Sequence, residues 1–396
     1  MTKILASLVH CCAATGTAVS LIFAGGCASM PKNPQSDAGR EALRFAFDFA
    51  DTIHTDASAK AEAQAKTVIL MAELGWREDA VARVRKIDGW DQGVAYAELG
   101  RHFARAGLTN EARQLLTKAV AVAKLVKDWY EPRIYAHVAQ AQVELGEVEQ
   151  VRALAQGIGR EESPKVAAAM VSGLARDGKY NEGMAKLQLL DDMIDFEVTW
   201  WRTMGYLRVA QQPGLGDFRR DQALAGAKRS AYKMPGPRRS DALIAVADAY
   251  REAGKRKEAW DTLEYVSAGL TREQIDQWRS KVSISDLASA WGRVGRRRYA
   301  VWLLKDALSD LDKVEPAFKP NLCTRIAGAH ADARDLKKAW ALYRQAISLA
   351  AQVENPRPRA LALAEVCRSV GRRRLELPMD IHQQLEQLLK GLAPQS

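Results

Sequence analysis

Apolar residues recur at helical spacing through almost the whole chain. Between Leu99 and Val120, Leu99, Phe103 and Ala106 share one face, Gly107 interrupts, and Leu108 to Asn110 make a short turn. A second run then sets Ala112, Leu116 and Ala119 on one face, so the stretch predicts two helices folded back on each other. Gly100 before the turn and Ala112 after it put small side chains where the two helices cross. The same pattern predicts turns at Gly75, Gly107, Gly146, Gly178, Gly254, Gly295, Arg334 and Gly371. The long interval from Gly178 to Gly254 holds one more unit, Glu197 to Tyr232, with its turn drawn out into Gln212-Pro213-Gly214-Leu215-Gly216.

Two markers fix the register. Five residues after the turn stands Ala80, Ala112, Ala259, Ala300 or Ala339, while Val151, Gly183 and Glu376 depart from the rule. Fourteen residues before it stands Pro132, Pro164 or Pro320, with Pro237 and Pro356 as looser echoes. Proline suits the first turn of a helix, where its missing N–H has no partner to lose. This spacing resembles the tetratricopeptide repeat (TPR) over Ala57 to Glu376, although the units are longer than that family's usual repeat. Tyr96 and Tyr135 keep the family's early aromatic, which other units replace. The resemblance implies an all-α fold, an α-solenoid of about nine TPR-like helix-turn-helix repeats in a right-handed superhelix of irregular spacing. A curved rod is the expected shape. Residues 37–56 are expected to cap it at one end, 57–378 to form the repeats, and 379–396 to supply a C-terminal capping helix and tail.

The N-terminus breaks this pattern. One charge, Lys3, precedes an uncharged apolar run to Phe23, and Ala24-Gly25-Gly26-Cys27 follows. A positive start, an apolar core and small residues predict an export signal over residues 1–26. Small residues before a cysteine resemble the bacterial lipobox, which implies acylation of Cys27 and a lipid anchor in a membrane. An uncleaved membrane anchor is the other reading of the same stretch. Residues 27–36 form a polar tether, and Ala28 directly after the cysteine implies, by the same resemblance, an outer-membrane protein facing the periplasm.

Composition and charge add two things. The 396 residues are 47% hydrophobic and 27% charged, which is globular, and 396 is too long for one ordinary core. The net charge of +10 is uneven: residues 1–210 hold 25 basic and 26 acidic side chains, and 211–396 hold 33 and 22. Much of the excess gathers near the turns, as Lys255, Arg256 and Lys257; Arg296, Arg297 and Arg298; Lys337 and Lys338; and Arg372, Arg373 and Arg374. Stacked units would align these into a basic ridge for an anionic partner, with solvated turns as the plainer reading. Export argues against nucleic acid and for lipid headgroups, an acidic envelope polymer or an acidic protein.

Candidate chemistry is sparse. Cys11 and Cys12 leave with the signal, and Cys323 and Cys367 stand at unequal heights in neighbouring units, which predicts two buried free thiols. The histidines are scattered singly, with no zinc-binding pair, phosphate loop or nucleophile elbow, so neither a metal, a cofactor nor catalysis is expected. Carboxylate pairs such as Glu161-Glu162 and Asp191-Asp192 read as helix-end caps. Trp260, Trp302 and Trp340 follow the packing alanines and predict core. Of the adjacent Trp200 and Trp201, only one can face the core fully. Two functions follow from this: a lipid-anchored scaffold binding envelope proteins or peptides in its grooves, and a direct binder of an anionic envelope component through the ridge.

Overall fold

The computed structural model describes residues 37–126, 130–155, 163–188, 195–234, 238–269, 278–309 and 311–392. The expected signal, Cys27 and the expected tether lie outside the described residues, as do Pro237, Glu161-Glu162 and Asp191-Asp192. The fold is all-helical. Its helices are α1 (Arg40–Asp51), α2 (Ala57–Glu73), α3 (Arg77–Val84), α4 (Gly89–Arg105), α5 (Thr109–Leu125), α6 (Tyr130–Leu145) and α7 (Val148–Ala155). Then come α8 (Ser163–Arg176), α9 (Tyr180–Gln188), α10 (Phe196–Ala210), α11 (Asp217–Tyr232), α12 (Arg238–Glu252) and α13 (Arg256–Gly269). The last are α14 (Trp278–Arg293), α15 (Arg297–Ser309), α16 (Lys319–Asp332), α17 (Leu336–Ala351), α18 (Pro356–Arg372) and α19 (Met379–Leu392). Among the described residues no strand occurs.

One local device folds the helices into hairpins. Gly75, Gly107, Gly146, Gly178, Gly254, Gly295 and Arg334 all adopt positive φ. After each, the next residue donates its N–H to the carbonyl five positions back, as Leu108 does to Phe103 and Arg296 to Trp291. This closes the helix end with carbonyls satisfied. The drawn-out turn has its left-handed residue at Gly214. Ala80, Ala112, Ala259, Ala300 and Ala339 are fully buried behind these turns. Asp56, Asp195, Asp335 and Asn355 cap the helices that follow them by accepting a backbone N–H.

The last turn is not where the sequence pattern puts it. Gly371 is helical and buried inside α18, and the left-handed residue is Arg374, at φ 52°. Leu375 then donates to the Val370 carbonyl in the same five-back bond. The small residue at 371 serves a crossing instead: a Cβ there would stand 2.5 Å from Leu43 of α1 and 3.1 Å from the Gly39 carbonyl.

The chain divides into two compact units, one of residues 96–255 and one of residues 30–95 with 256–396. In the first unit α6, α8 and α10 pack in succession, α8 and α10 each against its own second helix as well. Gly100 meets Leu116 across the α4–α5 crossing, and Gly226 of α11 meets the Tyr206 ring of α10. In the second unit α14, α16 and α18 pack in the same way. There α1 packs most extensively on α18 and then on α2, and also meets α19. Residues 37–56, expected to cap the repeats at one end, thus lie against helices from the C-terminal part of the sequence. The cause is a helix apolar on more than one side: Leu43, Phe45, Phe47 and Phe49 are all buried. His382 meets Glu41 at 2.7 Å, and Arg374 donates to the Leu74 carbonyl at 2.9 Å, so polar bonds seal the same seam.

Candidate functional site

In the first unit, α4, α6, α8 and α10 bring charged side chains together that the sequence shows only singly. Glu98 of α4 accepts from Nδ1 of His137 on α6 at 2.5 Å and pairs with Arg101 at 2.5 Å. Lys165 of α8 lies 2.7 Å from Nε2 of the same imidazole. An ammonium only donates, so Nε2 accepts and the ring proton sits on Nδ1, pointing at the carboxylate. Glu98, Arg101, His137 and Lys165 are all buried. Burial opposes ionisation of Glu98, but Arg101 and the His137 bond outweigh it and hold its carboxyl well below the usual range.

A wetter layer lies beside this core. Arg105 of α4 binds Glu144 of α6 at 2.6 Å, and Arg176 of α8 donates to the Glu144 carbonyl at 2.8 Å. Burial alone would raise the Glu144 carboxyl; Arg105 brings it below the ordinary value. Arg208 of α10 donates to Gln140 of α6 at 2.8 Å. Arg208 and Lys165 both lie over the Trp201 ring, at 6.0 and 5.7 Å. Burial, then the like charges of Arg101 and Arg105, lower Arg208 to about 9. Trp200 and Trp201 are each half-buried, so neither faces the core fully.

The basic clusters fare unequally. Arg256, Lys257, Arg296, Arg297, Arg298, Lys337 and Lys338 are exposed at the starts of α13, α15 and α17. Lys255 pairs with Asp221 at 2.6 Å and Lys257 with Asp261 at 2.8 Å. The fourth basic cluster, Arg372 to Arg374, does not follow a turn, because the turn is Arg374 itself. Arg372 is exposed, but Arg373 donates to Asp332 at 2.9 Å and to the Gly328 carbonyl at 2.9 Å. Arg374 reaches the Leu74 carbonyl and lies over Trp76 at 5.9 Å. Arg373 and Arg374 therefore hold helices together and do not extend a ridge.

Two sequence expectations about the core divide. Cys323 and Cys367 are free, buried thiols, and burial pushes Cys323 up to about 12 and Cys367 higher still. Trp302 is not core: it is 58% exposed, because the apolar side of α15 is already supplied by Ala300, Leu304 and Ala307. Trp260 and Trp340 are half-buried. Among the described residues no group of three His, Cys, Asp or Glu is placed to hold a metal, and no helix is long and apolar enough to cross a membrane. No protein-family model matches the chain, and no curated protein is similar to it.

Proposed function

We propose that the protein is a non-catalytic adaptor of the cell envelope, a right-handed TPR-like solenoid that holds acidic segments of protein partners on its first helices. The observation that carries this reading is the charged face shared by α4, α6, α8 and α10. A matching register occurs in the other unit: Glu98 and His137 stand nine residues before Gly107 and Gly146, and Asp286 and Arg325 of α14 and α16 nine before Gly295 and Arg334. Arg325 meets Asp286 at 3.1 Å, as His137 meets Glu98. Equivalent positions on successive hairpins thus face one another, as stacked repeats require. At the accessible edge of the first unit's charged face the exposed Arg105 and the half-buried Arg208 stand beside Glu144, which favours an anionic partner.

A photo-crosslinker at position 105, in the native envelope, should capture a discrete protein, and Arg208→Gln should weaken that capture. Equal capture from position 218, where Phe218 is 74% exposed elsewhere in the unit, would count against this face. The anchor is proposed on the lipobox resemblance of Cys27. Mass spectrometry of the membrane fraction should show residues 1–26 lost and an acylated cysteine gained. A mature chain beginning at Met1 would refute the anchor alone.

A further inference from the structure

From Arg296 to Lys305 the chain carries Arg296, Arg297, Arg298 and Lys305 and no acid. Trp302 is 58% and Tyr299 37% exposed, and their rings stack 5.5 Å apart. Tyr299 in turn stands edge-on to the buried Trp291 at 5.1 Å, so the exposed pair is fastened to the core. Arg298 lies one turn before Trp302 and Lys305 one turn after it, both exposed on the same stripe of α15. Arg296 covers the Trp260 ring at 4.1 Å. Three arginines at a helix N-terminus oppose the helix dipole, which favours acids there. Helix stability does not account for them, and although Arg296 lies over Trp260, all three are exposed.

We propose that this face of α15 docks on an anionic lipid surface, with the Tyr299–Trp302 pair entering the headgroup layer and the four cations meeting its phosphates. The aromatic pair decides between lipid and a hydrated acidic polymer. Tryptophan and tyrosine gain by sitting where water gives way to hydrocarbon, with basic side chains reaching back to the phosphates. A polymer held in water would be bound by the cations, and Trp302 would add little. The surface is separate from the partner face on the first helices, and its failure would leave that reading intact.

The full chain carrying Cys27→Ser, and so lacking the lipid, would be sedimented with vesicles of phosphatidylcholine containing phosphatidylglycerol. Vesicles of phosphatidylcholine alone report any binding through the apolar N-terminus. Binding should require phosphatidylglycerol and fall steeply between low and physiological salt. Replacing Arg296, Arg297 and Arg298 by Ser should weaken it at least about tenfold. Trp302→Ala should weaken it about tenfold with every charge kept. Circular dichroism should be unchanged, because these side chains are exposed. Lys337→Ser with Lys338→Ser removes exposed cations that flank no stacked aromatic pair, and should weaken binding far less. Undiminished binding by Trp302→Ala, equal loss with the lysine pair, or retention of polyglutamate in place of vesicles would each overturn the proposal.

Discussion

Replacing Glu98 by alanine should cost about 3–5 kcal/mol of unfolding free energy. The substitution strips Arg101 and His137 of the carboxylate they share, and leaves them buried with Lys165, which contacts the far nitrogen of the same imidazole. Breaking one side of a buried charged cluster is far worse than never having built it, because the remaining charges stay out of water. Urea unfolding of the full chain, followed by circular dichroism, measures the loss. A cost under about 1 kcal/mol would mean that water already reaches the cluster. The same carboxyl gives a signature in pH. Its folded value lies well below the ordinary 4.5 because Arg101 and His137 outweigh burial. Its contribution is therefore complete above about 4.5 and is lost as the pH falls through the folded value. The stability gap between the native chain and Glu98→Gln should narrow over that acid range.

Enlarging Gly371 should also be severe, and in a graded way. Leucine there should destabilise by about 3 kcal/mol, since the new side chain must enter the contact with Leu43 and the Gly39 carbonyl. Alanine gains about 1 kcal/mol in helix propensity, but its Cβ already meets Leu43 at 2.5 Å and forces that side chain to move, so it should be mildly destabilising. A turn glycine behaves otherwise: any side chain at positive φ meets a similar penalty whatever its size. Thermal unfolding of the alanine, valine and leucine variants would decide between the two. A flat series would return Gly371 to a turn; a steep one keeps it at the α1–α18 crossing.

Much of the fold is written in short-range signals. The helical period, the glycines at the turns and the alanines behind them each act within one hairpin, and they are legible one at a time. The error at the last turn has a physical source. Glycine answers two needs, positive φ and close approach, and at Gly371 the second need is met while an arginine tolerates the first. The charged face was harder to see because its partners are far apart in sequence. His137 stands 39 residues from Glu98 and 28 from Lys165. Read along the chain it is a lone histidine. Read at a constant distance before each turn it falls in line with Glu98, Asp286 and Arg325, and that alignment was the available signal. Distance from an alanine does not by itself place Trp302 in the core, because Ala300, Leu304 and Ala307 already fill that side of α15.

The seam between α1 and α18 also sets a timetable. Glu41 and His382, which meet across the same region, are 341 residues apart. At about 5–20 residues per second, α1 is made on the order of 15–60 s before its principal neighbour exists. Through that interval Leu43, Phe45, Phe47 and Phe49 have nothing of α18 to bury against. The hairpins between them need only local chain and are free to form as they emerge. α1 is made early and is thus among the last of the described helices to reach its native place, and the nascent chain carries its apolar side chains unburied by α18 until that helix arrives.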